Sequence, residues 1–375
     1  MAASRHRGYA VCACLRTACT TADAAASYDN ECSIQFPSLE LAELDAFLKA
    51  LQVSGGAALA ACFKHLKGFA MYAKRCFQVA TFAACVASCS TMTAKPDGLF
   101  FDDFSHANLQ ALTAHGWTLR HAVGHPGIPG AHWGPDTIAL VPDPRETGNQ
   151  FLRLRASTDG TPQGTAQAQI CHARKYFEGT YAARIRFSDA PVSGTDGDVV
   201  VQTFYLVSPL KHDFDPEFSE VDWEYLPNGG WGDPATRLYG ITWQTVRIEP
   251  WLAYNQAHQE MRSVDGWHTL ILQIKDGKTH HLLDGVEVAT HGGRNYPVVP
   301  MSLNFNLWFS PGGLLPVSQK ARIYEQDVDW ALYIKDQLLT PAQVDAQVKA
   351  LRTSGQTAVD TVATSTPPLG STCDF

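Results

Sequence analysis

The feature that most restricts the fold is a series of short alternating or β-branched segments separated by turn signals. Examples are residues 179–189, 198–207, 267–290 and 300–309. Within residues 267–290, the sequences KDGK and LDGV each place Asp-Gly between two such segments, which is typical of a tight β-hairpin. Strands do not alternate with helices, which argues against a parallel α/β sheet. The pattern predicts an all-β protein with two packed antiparallel sheets.

One helix is predicted after the last strand. Thr340 suits an N-cap, Pro341 the first helical position and Gly355 the end of the helix. The polar sequence QTAVDTVATSTPPLGST follows, and we expect it to be mobile. The expected organisation is therefore a sandwich at residues 99–340, with a terminal helix and a flexible tail at residues 341–375.

Composition excludes several classes of function. The 375 residues are 45% hydrophobic, which is enough for a large core, and the net charge is −8. No Lys/Arg run could follow a phosphate backbone, so we expect no nucleic-acid partner. No stretch of 18 or more apolar residues is present, so no membrane-spanning helix is expected. We expect a monomer.

Residues 71–89, MYAKRCFQVATFAACVASC, have the order of a secretory signal: a basic start, an apolar stretch and small residues. The last four resemble a bacterial lipobox, in which Cys89 would be lipidated. This predicts a signal peptide at residues 71–88, a tether at residues 89–98, and export as an envelope lipoprotein or a secreted protein. Membrane contact would then occur only through the lipid anchor.

An alternative is that residues 71–89 form a short buried helix of a true N-terminal domain. Residues 1–70 would be either the product of a misplaced translation start or a small helical domain. Besides Cys89, the predicted mature chain contains two cysteines, Cys171 and Cys373, which could pair in an oxidising compartment and hold the tail.

The sequence FSEVDWEYLPNGGW, residues 218–231, contains three acids spaced two apart. On a strand, Glu220, Asp222 and Glu224 would share one face, with Val221 and Trp223 on the other. A solvated acidic face or a calcium site would use the same pattern. A glycosidase also needs two carboxyl groups beside the scissile bond, and a third acid can tune their pKa values.

A second strand has one polar face. In residues 302–309, Ser302, Asn304, Asn306 and Trp308 alternate with apolar residues. The apolar face belongs between the sheets. The polar face, with its single tryptophan, suits a sugar-binding surface, although a solvent-facing strand would look similar.

The segment EVDWE resembles the E-x-D-x-E motif of glycoside hydrolase family 16, the family of laminarinases, lichenases and xyloglucan transglycosylases. Further segments are similar to family strands in the same order: FFDDFS with Trp117, GTYAARIRF, the hairpin DGWHTLILQIKDGKTHHLLDGVEV, FNLWF and YEQDVDWALYI. The resemblance covers residues 99–335. It implies a concanavalin-like curved β-jelly-roll sandwich with a cleft on one sheet.

The resemblance also implies roles for particular residues. Glu220 would be the nucleophile, Asp222 the assisting acid and Glu224 the general acid/base of a retaining, endo-acting hydrolase of β-linked polysaccharide, with β-glucan favoured. Trp231, Trp243, Trp251 and Trp308 are candidate stacking surfaces for sugar, and Asn304 and Asn306 candidate hydrogen-bonding residues. No cofactor would be required. A structural calcium ion is allowed for, with Asp329 as a ligand or as an ordinary strand-end aspartate.

The sequence on either side of EVDWE departs from the family pattern. The strand before the acids lacks the family's Trp-Pro-Ala-x-Trp, and the sequence LKHDFDPEF is inserted after it. EYLPN resembles the transglycosylase branch. Three alternatives therefore stay open: a transglycosylase using the same acids, a catalytically silent carbohydrate-binding sandwich, and a calcium-stabilised structural domain.

Overall fold

A computed structural model describes residues 97–371 and Cys373. The predictions for residues 1–70, for the signal at residues 71–88 and for lipidation of Cys89 lie outside the described residues. Among those residues, no helix is long and apolar enough to cross a membrane.

The described chain forms seventeen strands and two α-helices. The strands are β1 (Leu99–Asp102), β2 (Trp117–Leu119), β3 (His132–Trp133), β4 (Ile138–Pro142), β5 (Gln150–Thr158), β6 (Ala166–Tyr176), β7 (Gly179–Phe187), β8 (Val200–Val207), β9 (Glu220–Leu226), β10 (Arg237–Arg247), β11 (Leu252–Glu260), β12 (Gly266–Lys275), β13 (Lys278–Leu283), β14 (Val286–Gly292), β15 (Met301–Phe309), β16 (Arg322–Lys335) and β17 (Ala358–Asp360). The helices are α1 (Leu109–Ala114) and α2 (Pro341–Thr353), and short 3₁₀ turns lie at Pro135–Thr137 and Gly293–Asn295.

The strands make two antiparallel sheets. The front sheet has the order β2-β6-β15-β8-β9-β10-β11. In the back sheet, β16 pairs with β7 on one side and with β5 and β1 on the other; β12, β13 and β14 follow β7. This curved sandwich with a short C-terminal helix confirms the predicted all-β jelly-roll class.

The core lies between the sheets and follows from the alternation of apolar residues. On β9, Val221, Trp223 and Tyr225 are fully buried and point inward. Phe305 of β15 stacks on Phe204 of β8, with ring centroids 5.3 Å apart. This stacked pair joins neighbouring strands of the front sheet and forms part of the core behind the acidic face of β9.

The two Asp-Gly turns have the geometry that the sequence predicts. Asp276 and Gly277 have φ values of 51° and 75°, and Asp284 and Gly285 have values of 50° and 82°. Two successive left-handed residues suit the twist of a tight hairpin, which explains the use of Asp-Gly. The turns join β12 to β13 and β13 to β14.

Helix α2 begins as predicted. The Thr340 side chain accepts a hydrogen bond from the N–H of Gln343, and the Gln343 side chain accepts from the N–H of Thr340, forming a capping box. Val344 and Val348 are buried against the outer face of the back sheet, where they pack with Leu332. The helix therefore covers the sheet opposite the front face.

The tail after α2 differs from the prediction of a mobile segment. Residues Ala358–Asp360 form β17, which pairs with β1. Lys175 donates to Asp360 (2.6 Å), and Cys373 is joined to Cys171 in a disulfide, with 5.2 Å between the Cα atoms. The polar composition concealed these long-range contacts, which hold the segment against the sandwich.

A buried ion pair joins the segment just before β8 to the first residue of β16. Arg322 donates to both carboxylate oxygens of Asp198 at 2.6 and 2.9 Å, and both side chains are almost fully buried. Replacing Asp198 with Ala leaves the guanidinium buried without its partner. We expect Asp198→Ala to lower the free energy of unfolding by about 3–5 kcal/mol in urea titrations.

The exposed pair Asp136–His132 provides the control for this prediction, because its N–O distance is also short, at 2.8 Å. Asp136→Ala should cost less than about 1 kcal/mol, since water screens the exposed pair. Equal losses in the two variants would contradict the role assigned to burial.

Candidate active site

Strand β9 holds the three acids on one face. It lies between β8 and β10, and its pairing with both runs without a register shift from Glu220 to Tyr225. Regular alternation therefore sends Glu220, Asp222 and Glu224 outward while the residues between them enter the core. Because β9 is an inner strand of the sheet, its acids are flanked on both sides.

Each acid has one neighbour on β8 and one on β10. The three rows are Val207–Glu220–Trp243, Tyr205–Asp222–Ile241 and Thr203–Glu224–Tyr239. Glu220 is 9% exposed and Asp222 is 2% exposed. The carboxyl groups therefore lie on a floor of apolar, aromatic and hydroxyl groups.

A cleft of about 510 Å³ opens above this floor. Its lining comprises His125, Pro126, Thr203, Tyr205, Glu220, Asp222, Glu224, Trp231, Tyr239, Ile241, Trp243, Val246, Trp251, Ala253, Asn255, Ala257, Asn306, Trp308, Ser310 and Pro311. No lysine or arginine of the described chain lines it. Burial, followed by the nearby charge of Arg120, lowers the pKa of His125 to about 4, so this histidine is neutral at neutral pH.

Without a cation, the buried carboxyl groups of Glu220 and Asp222 and the partly buried one of Glu224 are not all ionised at neutral pH. Burial, reinforced by the other two carboxyl groups, raises the pKa of Asp222 well above its usual range. Its Oδ2 accepts a hydrogen bond from the indole N–H of Trp243, and its buried Oδ1 receives no donor of its own. A hydrogen bond with Glu220 further raises the pKa of Asp222 and lowers that of Glu220. Asp222 is therefore the member of this pair that carries the proton.

Glu220 and Glu224 differ in their surroundings. Burial and the charge of Glu224 raise the pKa of Glu220, and the hydrogen bond from Asp222 opposes that rise. Burial raises the pKa of Glu224 to about 7. The two environments therefore differ in their effect: Glu220 accepts a hydrogen bond from a donor, whereas Glu224 keeps its proton near neutral pH.

All four tryptophans considered from the sequence line the cleft. Trp243 is bonded to Asp222, and Trp251 packs edge-to-face against it with centroids 6.1 Å apart. Trp231 is 52% exposed and has φ of 50° in a glycine-rich loop, where its ring packs on Tyr239. Trp308 is 7% exposed, and its indole N–H has no partner among the described residues.

The two candidate asparagines have different positions. Asn306 lines the cleft beside Trp308 and is hydrogen-bonded to Tyr205 and Thr203. Asn304 lies on the same face but is fully buried, and its Nδ2 donates to Ser302 at 2.8 Å. Alternation gave the correct face for Asn304 but not its accessibility, because other chain segments cover it.

Asp329 lies away from this cleft. Arg184 donates to its Oδ2 at 2.7 Å, and Arg352 and Asn149 donate to its Oδ1 at 2.8 and 3.0 Å. Both oxygens are thus engaged by structural partners, and Asp329 lies in the middle of β16 and not at a strand end. Among residues 97–371 and Cys373, no group of three or more His, Cys, Asp or Glu residues is arranged to hold a metal ion.

Sequence reasoning missed Tyr205, Tyr239 and His125 as residues of the site. Tyr205 and Tyr239 lie on the acidic face because they pair with Asp222 and Glu224. Alternation within β8 and β10 would have given their face only if the pairing with β9 had been known. His125 comes from the loop after β2, and its ring lies 6.0 Å from that of Trp251.

No protein-family model and no curated protein sequence matches this chain. Solved structures similar to it include a Bacillus licheniformis β-glucanase, at 15% identity over 64% of this chain and all of the other, with a TM-score of 0.46. A Bacteroides ovatus mixed-linkage glucan GH16 protein, determined with a G4G4G3G product, is 14% identical over 63% of this chain and 99% of its own, with a TM-score of 0.48. The Thermotoga maritima laminarinase catalytic domain is 12% identical over 64% and 97%, with a TM-score of 0.44.

The raised pKa of Glu224 makes stability depend on pH. Its folded-state pKa of about 7 exceeds the ordinary value of 4.5, so its burial becomes costly as pH rises from about 4.5 to about 7. Glu224→Gln removes this titration. Relative to the unsubstituted protein, we expect the variant to gain about 3 kcal/mol in unfolding free energy between pH 4.5 and pH 8.

Urea unfolding at the two pH values measures this gain. The exposed Glu146→Gln is the matched control, because it makes the same chemical change outside the cleft. If the unfolding free energies of Glu224→Gln and the unsubstituted protein differ by the same amount at pH 4.5 and pH 8, the raised pKa is contradicted.

Proposed function

We propose that this chain is a retaining glycoside hydrolase of the family 16 type that cleaves a neutral β-linked polysaccharide, with β-glucan as the favoured substrate. The observation that carries the proposal is the set of three outward carboxyl groups on β9, in an aromatic cleft that no lysine or arginine of the described chain lines. Binding alone needs no buried row of acids, whereas glycosidic cleavage requires one carboxyl group as nucleophile and another as proton donor.

In the first step, a carboxylate oxygen of Glu220 attacks the anomeric carbon. The bond from that carbon to the glycosidic oxygen breaks, and its electron pair takes the proton of Glu224. The product is a glycosyl ester on Glu220 and a free sugar hydroxyl. The raised pKa of Glu224 supports its part, because a proton donor must still hold its proton near the working pH.

In the second step, the ionised Glu224 accepts a proton from water, and the water oxygen attacks the anomeric carbon. The bond to Glu220 breaks and returns the carboxylate, so two inversions give net retention. Asp222, which is hydrogen-bonded to Glu220, positions that carboxyl group and stabilises its charge as it returns. Trp243 fixes the orientation of Asp222.

The lining of the cleft favours a neutral sugar chain. Acidic residues on the floor would repel sulfated or uronic polymers, and the described lining includes no lysine or arginine to offset the repulsion. Aromatic rings at Trp231, Trp251 and Trp308 suit the C–H faces of pyranose rings. The unpartnered indole N–H of Trp308 can donate to a sugar hydroxyl.

The segment that resembles transglycosylases has a structural use here. Asn228 donates to the Asp196 carboxylate at 2.8 Å and to the Asp198 carbonyl at 3.0 Å, which fixes the loop after β9. No contact places Asn228 in the cleft. Hydrolysis therefore remains the favoured reaction, with water as the acceptor.

Export to an oxidising compartment is part of the proposal. The disulfide between Cys171 and Cys373 supports it, because such bonds persist mainly in exported proteins. A polymer substrate also requires an enzyme that meets it outside the cell.

The proposal is tested by reducing-sugar release from mixed-linkage β-glucan, laminarin, xyloglucan, agar and carrageenan with the full chain. We expect turnover on a neutral β-glucan, and loss of measurable turnover in Glu220→Gln because the amide cannot act as the nucleophile. Proton NMR of the first products should show the β anomer ahead of the α anomer.

Glu217→Gln is the matched control, since Glu217 is exposed and pairs with Lys211 just before β9. It should leave turnover unchanged. Retained turnover in Glu220→Gln would overturn the assignment of the nucleophile. Absence of turnover on every polymer by the unsubstituted protein, with sugar binding intact, would favour a carbohydrate-binding sandwich. Transfer to added oligosaccharides in place of hydrolysis would favour a transglycosylase.

A further inference from the structure

The disulfide lies in line with the catalytic row. Pairing across the front sheet gives the row Cys171–Asn304–Tyr205–Asp222, from β6 through β15 and β8 to β9. Paired residues share a face, so Cys171 is on the same face as the acids. Adjacent strands lie about 4.8 Å apart, which puts Cys171 about 14 Å from Asp222 across the sheet.

The outer face of β6 is covered. Gln167, Gln169 and Cys171 all point outward from the front sheet, yet each is at most 1% exposed. Part of the cover is the loop after β2, where Arg120 donates to Gln169 Oε1 at 2.8 Å and Ile128 N–H donates to Gln167 Oε1 at 3.2 Å. The guanidinium of Arg120 also lies 3.9 Å from the ring centroid of Trp133.

The rest of the cover is the C-terminal tail. After β17 has paired with β1 at the other sheet, the tail reaches the front sheet, where Cys373 is bonded to Cys171. Gln169 donates to the Cys373 carbonyl, and the Cys373 sulfur contacts the Thr118 carbonyl at 3.4 Å. Cys373 is fully buried, so the tail is packed onto the sheet.

The tail is linked to the cleft through side chains. Gln169, which holds the Cys373 carbonyl, also donates to the Tyr205 hydroxyl at 2.6 Å. Tyr205 lines the cleft, whereas Asn304, one strand nearer to the disulfide, does not. The burial of Asn304 and the set of residues that line the cleft therefore place the end of the cleft between β8 and β6.

The opposite end of the cleft is open. Among the described strands, β11 pairs with β10 alone and forms the edge of the front sheet. Asn255 and Ala257, which lie across β10 from the acids, line the cleft and are exposed. A polymer that crosses the acids can therefore continue past β11, but at β6 it meets the loop after β2 and the tail, which together cover that strand.

We propose that the disulfide-held tail closes the β6 end of the cleft, so that the enzyme releases short oligosaccharides of limited length from one end of its polysaccharide. This inference rests on the proposed function, and it replaces the endo action that the family resemblance implies. Because Asn304, two strands or about 10 Å from Asp222, is already covered, the open span on this side has room for on the order of two sugar residues between the acids and the tail. A chain end must lie there, because an internal segment would have to pass through the tail.

The test compares the full-length protein with Cys171→Ser/Cys373→Ser and with a deletion of residues 366–375, which retains β17 and the buried Val362. Product size and viscosity are followed on the neutral polymer that the protein hydrolyses. We expect the unsubstituted protein to release one or two short products with little loss of viscosity. Both variants should give longer products and lower the viscosity at least about threefold more per bond cleaved.

Binding supplies a second readout. The affinity for neutral β-glucan oligosaccharides of increasing length is measured in Glu220→Gln proteins with and without the tail. With the tail in place, the affinity should stop rising at a shorter oligosaccharide than after deletion of the tail. Far-UV circular dichroism and thermal unfolding identify any variant that fails to fold, and the other variant then decides.

Rapid loss of viscosity by the unsubstituted protein, with the same products from folded variants, would overturn the closed end and leave the hydrolase assignment intact. If no protein cleaves a polymer but the binding series still changes with the tail, the hydrolase proposal fails and the closed end stands. If neither cleavage nor sugar binding is found, both proposals fail.

Discussion

Three carboxyl groups lie side by side on one face of β9, two of them buried and one partly buried, with no compensating cation in the described part of the cleft, and the site depends on this constraint. Like charges this close and this dry cannot coexist, so protons must remain on some of them. The hydrogen bond between Asp222 and Glu220 and the raised pKa of Glu224 both follow from this condition. The arrangement costs stability but provides a proton donor and a nucleophile on the same strand.

Buried acidic residues have different partners in the two sheets. On the back sheet, Arg153 pairs with Asp327 at 2.7 Å, Arg155 with Glu325 at 2.6 Å and Arg184 with Asp329 at 2.7 Å. These pairs are cross-strand neighbours or nearly so, and each carboxylate is neutralised where it is buried. On the front sheet, Glu220 and Asp222 of β9 receive hydrogen bonds, and none of the three acids pairs with an arginine of the described chain. Paired acids support the fold, whereas unpaired acids in a cleft are suited to chemistry.

Local patterns predicted much of the fold and part of the site. Alternation on β9 and β15 gave the faces of the three acids and of Trp308, and the Asp-Gly pairs gave two hairpins, because these features depend on neighbouring residues alone. Other features depend on which distant segments pair. These are the burial of Asn304, the formation of β17 and the positions of Tyr205 and Tyr239 in the site. A single sequence does not contain that information, and the polar tail illustrates the limit, since its fixed position comes from β1 and Cys171.

The most direct test of the central claim is to trap the covalent intermediate. The full chain would be treated with 2,4-dinitrophenyl 2-deoxy-2-fluoro-β-cellobioside and with the corresponding laminaribioside, and the labelled peptide would be sequenced by mass spectrometry. The account predicts a stable glycosyl ester on Glu220, and none in Glu220→Gln. A label on Glu224 or on a residue outside β9 would contradict it. A second result would also contradict it: the protein binds both reagents without being labelled, and hydrolyses polymer without a kinetic burst to give inverted products.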